Sequence, residues 1–247
     1  MRLLGFGLPV CITKSGGIDN KEHTVREIFR QEMQALSETL VIEAKEAARA
    51  IDRAAKSLKD ANLALAEQVI DSDHSIDLLE RNVDEMGISL LARQAPVASD
   101  LRTVVSALRL SATLERMGDL ARHVAYVARG RYPETASTGK VYDLLVEMAE
   151  AAAKVGENVA NLVETHDMEL AKQIEADDDV LDELHRKSFD FVLDPEVDLT
   201  RQQIVDTVLL GRYLERFGDH GVSVARRMRF LVTGLQPDPD VDIENWG

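Results

Sequence analysis

The sequence predicts an all-α protein built as two tandem three-helix bundles related by internal duplication. Three observations carry that prediction. Aromatic residues make up only 4% of the 247 residues and charged residues 30%, with 6 Pro and 14 Gly, a composition suited to long packed helices. Apolar residues recur at alternating steps of three and four, the spacing of one helical face. The hexapeptide Leu114-Glu115-Arg116-Met117-Gly118-Asp119 returns as Leu214-Glu215-Arg216-Phe217-Gly218-Asp219, and Val124/Val224, Ala125/Ala225 and Arg129/Arg229 continue the match.

Residues 1–24 read as an extension outside the fold: they lack a helical period up to about residue 22 and contain the breaker Ser15-Gly16-Gly17. Their apolar run, Leu3 to Ile12, is interrupted by Pro9 and is too short to span a bilayer. It imitates a signal peptide, but Val10 stands where cleavage needs a small residue. The first helix opens at Val25 and carries Phe29, Met33, Leu36, Leu40, Ala44, Ala47, Ile51, Ala55 and Leu58 on one seam. A second follows Asp60, with Leu65, Val69, Ile76, Leu79, Val83, Met86 and Leu90 in step. It stops at Gln94-Ala95-Pro96, because the residue before proline avoids helical geometry. The third, capped by Ser99 or Asp100, runs to Gly130.

Pro133, Ser137, Thr138 and Gly139 mark a linker over 132–140, which divides the helices three and three. The fourth helix carries Val141, Leu145, Met148, Ala152, Val155, Val159 and Leu162. The fifth spans Met168 to Leu193, and Asp194-Pro195 parts it from a sixth ending near Gly234. The expected organisation is a first bundle over 25–131, a second over 141–234 and a loose acidic tail over 235–247.

Acidic residues outnumber basic ones 44 to 29, for a formal charge of -15. A field of that sign repels nucleic-acid backbones and anionic membranes and attracts cations and basic protein surfaces, so neither nucleic acid nor membrane insertion is expected. The single cysteine, Cys11, permits no intrachain disulfide and no cysteine-based zinc site, which fits the reducing cytoplasm.

The candidate chemistry lies where helical seams meet acids. Following the third helix through Leu101, Val105, Leu108 and Ala112 leads to Glu115 and Asp119. Ile204, Val208 and Gly211 on the sixth lead to Glu215 and Asp219. Inward carboxylates are rare unless paired or bound to metal. The second helix stacks Asp73, Asp77, Glu80 and Asp84 on one face, a repelling array that needs something positive among it. The fifth helix answers with Asp178, Asp182 and His185, beside Asp177 and Asp179. Carboxylate oxygens converging from two helices suit magnesium, manganese or iron, in clusters of more than one ion; a histidine nitrogen shifts the preference toward zinc or iron. The competing reading is ordinary ion pairing with Arg116, Arg216 and their neighbours on a solvated face.

The repeated Leu-Glu-Arg-x-Gly-Asp, Ile76-Asp77-Leu78-Leu79-Glu80, Leu91-Ala92-Arg93-Gln94-Ala95-Pro96-Val97 and Leu210-Gly211-Arg212-Tyr213 resemble the PhoU family of phosphate-specific transport accessory proteins, over about Val25 to Gly234. The resemblance implies two three-helix bundles holding multinuclear iron or zinc clusters, a cytoplasmic homodimer, and negative control of phosphate uptake and of the phosphate-starvation regulon. It also implies coupling of the Pst transporter ATPase to a PhoR-type sensor kinase. Carried over by position, Asp77, Glu80, Asp84, Glu115 and Asp119 form the first metal site, and Asp178, Asp182, Glu215 and Asp219 the second. The fifth-helix motif departs from its second-helix partner. So does the start of the chain, since similar proteins begin with Met-Arg where this one has Val25-Arg26.

No catalytic residue is expected. A carboxylate di-iron oxidase would need two Glu-x-x-His pairs around one four-helix core, and only Asp71-x-x-His74 and Asp182-x-x-His185 approach that pattern. A metal-free helical adaptor is the other alternative.

Overall fold

The computed structural model describes residues 18–235, with side chains from Arg26 onward. These residues form six helices and no strand: α1 (Ile18–Lys59), α2 (Leu63–Gln94), α3 (Ala98–Arg131), α4 (Gly139–Thr165), α5 (Met168–Leu193) and α6 (Arg201–Thr233). Residues 1–17 and 236–247, and with them the rest of the expected extension and nearly all of the acidic tail, lie outside the described residues.

Helix α1 begins at Ile18 rather than Val25, so residues 18–24 continue the first helix instead of preceding it. Nothing after Gly17 breaks a helix, and lengthening an existing helix adds one hydrogen bond per residue fixed. Asn62 opens α2, its side chain accepting from the Leu65 N–H at 3.1 Å. The expected cap of α3 does not form: Val97 holds the cap position without a side-chain bond, and Ser99 and Asp100 fall inside the first turn. Asp167 caps α5, a reciprocal Thr200–Gln203 capping box opens α6, and Gly234 closes α6 at φ 73°.

Helices α1–α3 pack on one another, as do α4–α6, and the two bundles join where α1 meets α4 and α3 meets α6. Alanines and small β-branched residues let these helices approach closely, and the buried side chains form one continuous core running through both bundles. Each fully buried leucine, such as Leu36, Leu114 or Leu214, contributes about 2 kcal/mol from burial. Gly156 makes the α1–α4 contact possible, because a β-carbon there would stand 2.8 Å from Ile51 Cγ2 and 3.4 Å from Ala48 Cα and from Phe217 Cζ. Lys45–Glu164 at 2.6 Å and Lys59–Glu150 at 2.7 Å flank this junction. Among the described residues, no helix is long and apolar enough to cross a membrane.

Candidate metal centres

In the first bundle, α2 and α3 bring their acids to one seam. Asp73 is buried, and Arg122, one helical turn beyond Asp119, donates to both Asp73 and Asp119. Arg116 flanks the same seam, 3.4 Å from Glu115 and 3.1 Å from Asp119. Burial, then Asp119, and beyond it Glu80 and Asp77, push the Glu115 carboxyl above its ordinary range, so these four acids share one electrostatic neighbourhood. A further acid enters from α1. Glu43 is fully buried, one oxygen accepts from Ser111 Oγ at 2.6 Å and the other has no partner. Burial, reinforced by Glu80, Glu115 and Asp84, lifts its pKa to about 8. Asp84 itself is exposed, at the outer end of the stripe.

The second bundle repeats the seam between α5 and α6. Ile76 packs at Gly118 and Leu181 at Gly218, which matches Asp73 with Asp178, Asp77 with Asp182 and Glu80 with His185. The match fails at Arg122, whose counterpart is the buried Val222. Asp178 therefore lacks the guanidinium that satisfies Asp73: its Oδ1 is buried without a partner against Gly218. Burial, then Asp182, Asp219, Asp179 and Glu215, raise the Asp178 pKa to about 7. Burial also raises Asp182, Glu215 and Asp219, with Asp219 the main repelling neighbour of the first two. His185 Nε2 is buried and unpartnered too, and burial followed by Arg212 keeps the ring neutral. Arg212 Nη1 donates to both Glu215 oxygens at 2.6 Å.

In chemical type, carboxylates with one imidazole, these donors are those that hard or borderline cations take. Clustered carboxylates repel one another, their proton affinity is raised by burial, and the orphaned oxygens of Glu43 and Asp178 and the nitrogen of His185 are positioned to accept a positive partner. Among the described residues, no three such side chains meet closely enough to hold one ion as they stand. Ion pairs with Arg116, Arg122 and Arg212 engage part of each set, and ligation would require those carboxylates to turn away from them.

Of the residues expected from the sequence, Asp77, Glu80, Glu115 and Asp119 come together in the first seam, with Asp84 at its rim. Asp178, Asp182, Glu215 and Asp219 come together in the second, where Asp182 and Asp219 are exposed. Asp177 faces away from α6 and is held by Lys154, Asn158 and Gln173. Glu43 and Arg122 escaped the sequence reading. A step of three from Leu40 along the first seam lands on Glu43, and the break of the repeat at Arg122/Val222 marks the other.

The family model of the PhoU domain matches this chain twice, over residues 40–128 and 145–228. The chain belongs to the PhoU family. Similar relatives are phosphate-specific transport system accessory protein PhoU homologues of Mycobacterium. Homolog 2 of Mycobacterium tuberculosis is 42% identical over 86% of this chain and 100% of its own length, and homolog 1 of Mycobacterium leprae is 41% identical over 87% and 97%. Among solved structures, PhoU from Pseudomonas aeruginosa superposes with a TM-score of 0.74 at 27% identity, covering 84% of this chain and 100% of that one. The phosphate transport system regulatory protein PhoU from Streptococcus pneumoniae, at 22% identity and a TM-score of 0.75, shares the fold. The two PhoU-domain matches each contain one acidic seam.

Proposed function

We propose that this protein is a cytoplasmic, homodimeric accessory protein of phosphate-specific transport. In this reading it restrains phosphate uptake and the phosphate-starvation regulon by binding, linking the Pst transporter ATPase subunit to a PhoR-type sensor kinase. The role in phosphate transport rests on the PhoU relatives. The observation that carries a metal-dependent version of it is the pair of acidic seams, one per repeat, with buried donors left unpartnered in each. Iron or zinc, or magnesium or manganese, would be held by Asp77, Glu80, Asp84, Glu115 and Asp119 in the first bundle and by Asp178, Asp182, Glu215 and Asp219 in the second. A bound cation would neutralise each array and tie the second helix of a bundle to its third.

A metal-free adaptor is the second reading, favoured by the ion pairs of Arg116, Arg122 and Arg212 with the same carboxylates. One experiment separates the two. Wild type and a variant with Glu115, Asp119, Glu215 and Asp219 changed to alanine are returned to a strain lacking the protein; phosphate uptake is measured, and the metal content of each purified chain is read by elemental mass spectrometry. Metal in the wild type, lost from the variant together with restraint of uptake, supports the metal-dependent regulator. Full restraint by a metal-free, folded wild type supports the adaptor, and equal uptake with and without the protein refutes both.

A further inference from the structure

Helices α3 and α6 run antiparallel where the bundles meet, and contacts along their length fix the register. At one end Arg131 donates from Nε and Nη2 to the two Asp206 oxygens, at 2.5 and 3.2 Å. Farther along, His123 stacks on Tyr213 with ring centroids 5.0 Å apart. At the far end Arg102 lies over the Phe230 ring, 6.0 Å from its centroid, and against Gly234. Between the last two contacts, each step of seven residues along α3 meets a step of seven back along α6. That register sets Arg116 opposite His220 and Arg109 opposite Arg227. The repulsions within the seam agree with it, since Arg116 bears on His220 and Arg109 on Arg227.

Arg109 and Arg227 face each other without a counter-ion. Arg116 is held by Glu115 and Asp119 of its own helix, but Arg102, Arg109 and Arg227 have no carboxylate partner among the described residues. No acid stands three or four positions to either side of Arg109 or of Arg227. One turn beyond the pair, Thr113 and Ser223 give their hydroxyl protons to carbonyls of their own helices, at 2.9 and 3.0 Å, which leaves the guanidiniums as the free donors. Burial, and then the facing Arg109, make the Arg227 charge less favourable. About 10 Å along α3 from Arg109, Arg102 holds its Nε buried with no hydrogen-bond partner.

Like charges set against each other cost stability, and an anion between them removes that cost. The chain as a whole, with 44 acidic against 29 basic residues, repels anions at a distance, so a ligand here must gain from short contacts. Forked guanidiniums make such contacts with paired oxygens. A carboxylate would balance only one of the two charges. A doubly charged tetrahedral oxyanion balances both and presents an edge of two oxygens to each arginine. Contacting helices lie about 8–10 Å apart, within reach of two arginine side chains extended from either side.

We propose that Arg109 and Arg227 form a binding site for free inorganic phosphate across the α3–α6 seam, with Arg102 adding its charge from the Gly234 end. The site is separate from the acidic seams and holds whether or not those bind metal. Inorganic phosphate is titrated with the full chain and followed by phosphorus NMR at mildly alkaline pH, where it is doubly charged. The protein is first treated with a chelator that is then dialysed away, so that phosphate on a metal ion is not counted. The expected result is saturable line broadening with a dissociation constant on the order of millimolar, weakened on the order of tenfold by Arg109→Gln or Arg227→Gln. Arg109 is exposed, so Arg109→Gln leaves the packing intact and keeps the test open if the half-buried Arg227 variant fails to fold; circular dichroism verifies helix content. Phosphate should also raise the thermal midpoint of the wild type above that in chloride of equal ionic strength, an increment that Arg109→Gln loses. Broadening that both folded variants leave unchanged would overturn the proposal. So would a thermal increment that chloride reproduces, or glycerol phosphate bound where inorganic phosphate is not.

Discussion

Glu43→Gln tests the electrostatics of the first seam where its consequence is largest. Burial, reinforced by Glu80, Glu115 and Asp84 and opposed by the Ser111 hydroxyl, moves this carboxyl from 4.5 to about 8. Between those values the unfolded chain has released the proton while the folded chain still holds it. Folding therefore takes up a proton, and stability falls as pH rises through the window. Below it the carboxyl is neutral in both states; above it the full cost applies, about 5 kcal/mol as an upper bound and a few kcal/mol once the seam relaxes. Glutamine is neutral at every pH and keeps an oxygen to accept from Ser111. Variant and wild type should thus be equally stable near pH 5, with the variant gaining about 1 kcal/mol per pH unit above that until about pH 8. Urea unfolding followed by circular dichroism, in the presence of a chelator, measures the difference at each pH. Asp178, which titrates in an overlapping window, contributes equally to both proteins and cancels. Stability curves that stay parallel across this range would refute a neutral, buried Glu43.

Two further outcomes follow from the packing. Arg131→Met strands the buried Asp206 carboxylate and should cost about 3 kcal/mol in urea unfolding, most of it regained in the Arg131→Met/Asp206→Leu double variant. Phe217→Ala empties a fully buried site beside Gly156 and Ile51 and should cost about 3–5 kcal/mol, seen as a lower urea midpoint with unchanged m-value.

The helices were legible because their signals are local. Seam spacing located all six, Pro96, Pro195 and Gly234 mark the ends of α2, α5 and α6, and the fifth runs from Met168 to Leu193 as expected. The ends that differ lack such punctuation. Nothing in Ile18 to Thr24 stops a helix, and a cap at Ser99 or Asp100 gave way to the left-handed Ala95 and Ala98 that turn the chain between α2 and α3. The paired acids of α3 and α6 were visible as an apolar walk that ends on carboxylates. What governs each site was less visible, because it depends on contacts between helices. Arg122 reaches across to Asp73, Glu43 enters from α1, and the swap of Arg122 for Val222 matters only once α2 and α5 are seen to share a register.

The continuous core bears on how the two seams communicate. Helix α3 carries Glu115 and Asp119 toward α2 while its other side lies on α6, and α6 carries Glu215 and Asp219 toward α5. Two helices in direct contact are therefore all that stands between one acidic array and the other. A roll of α3 that rearranged the first array would press on the stacked His123 and Tyr213 and on the Arg131–Asp206 pair, and α6 would turn with it. The repeats thus share a direct boundary, so that a movement of α3 at the first array would meet α6 through these same contacts.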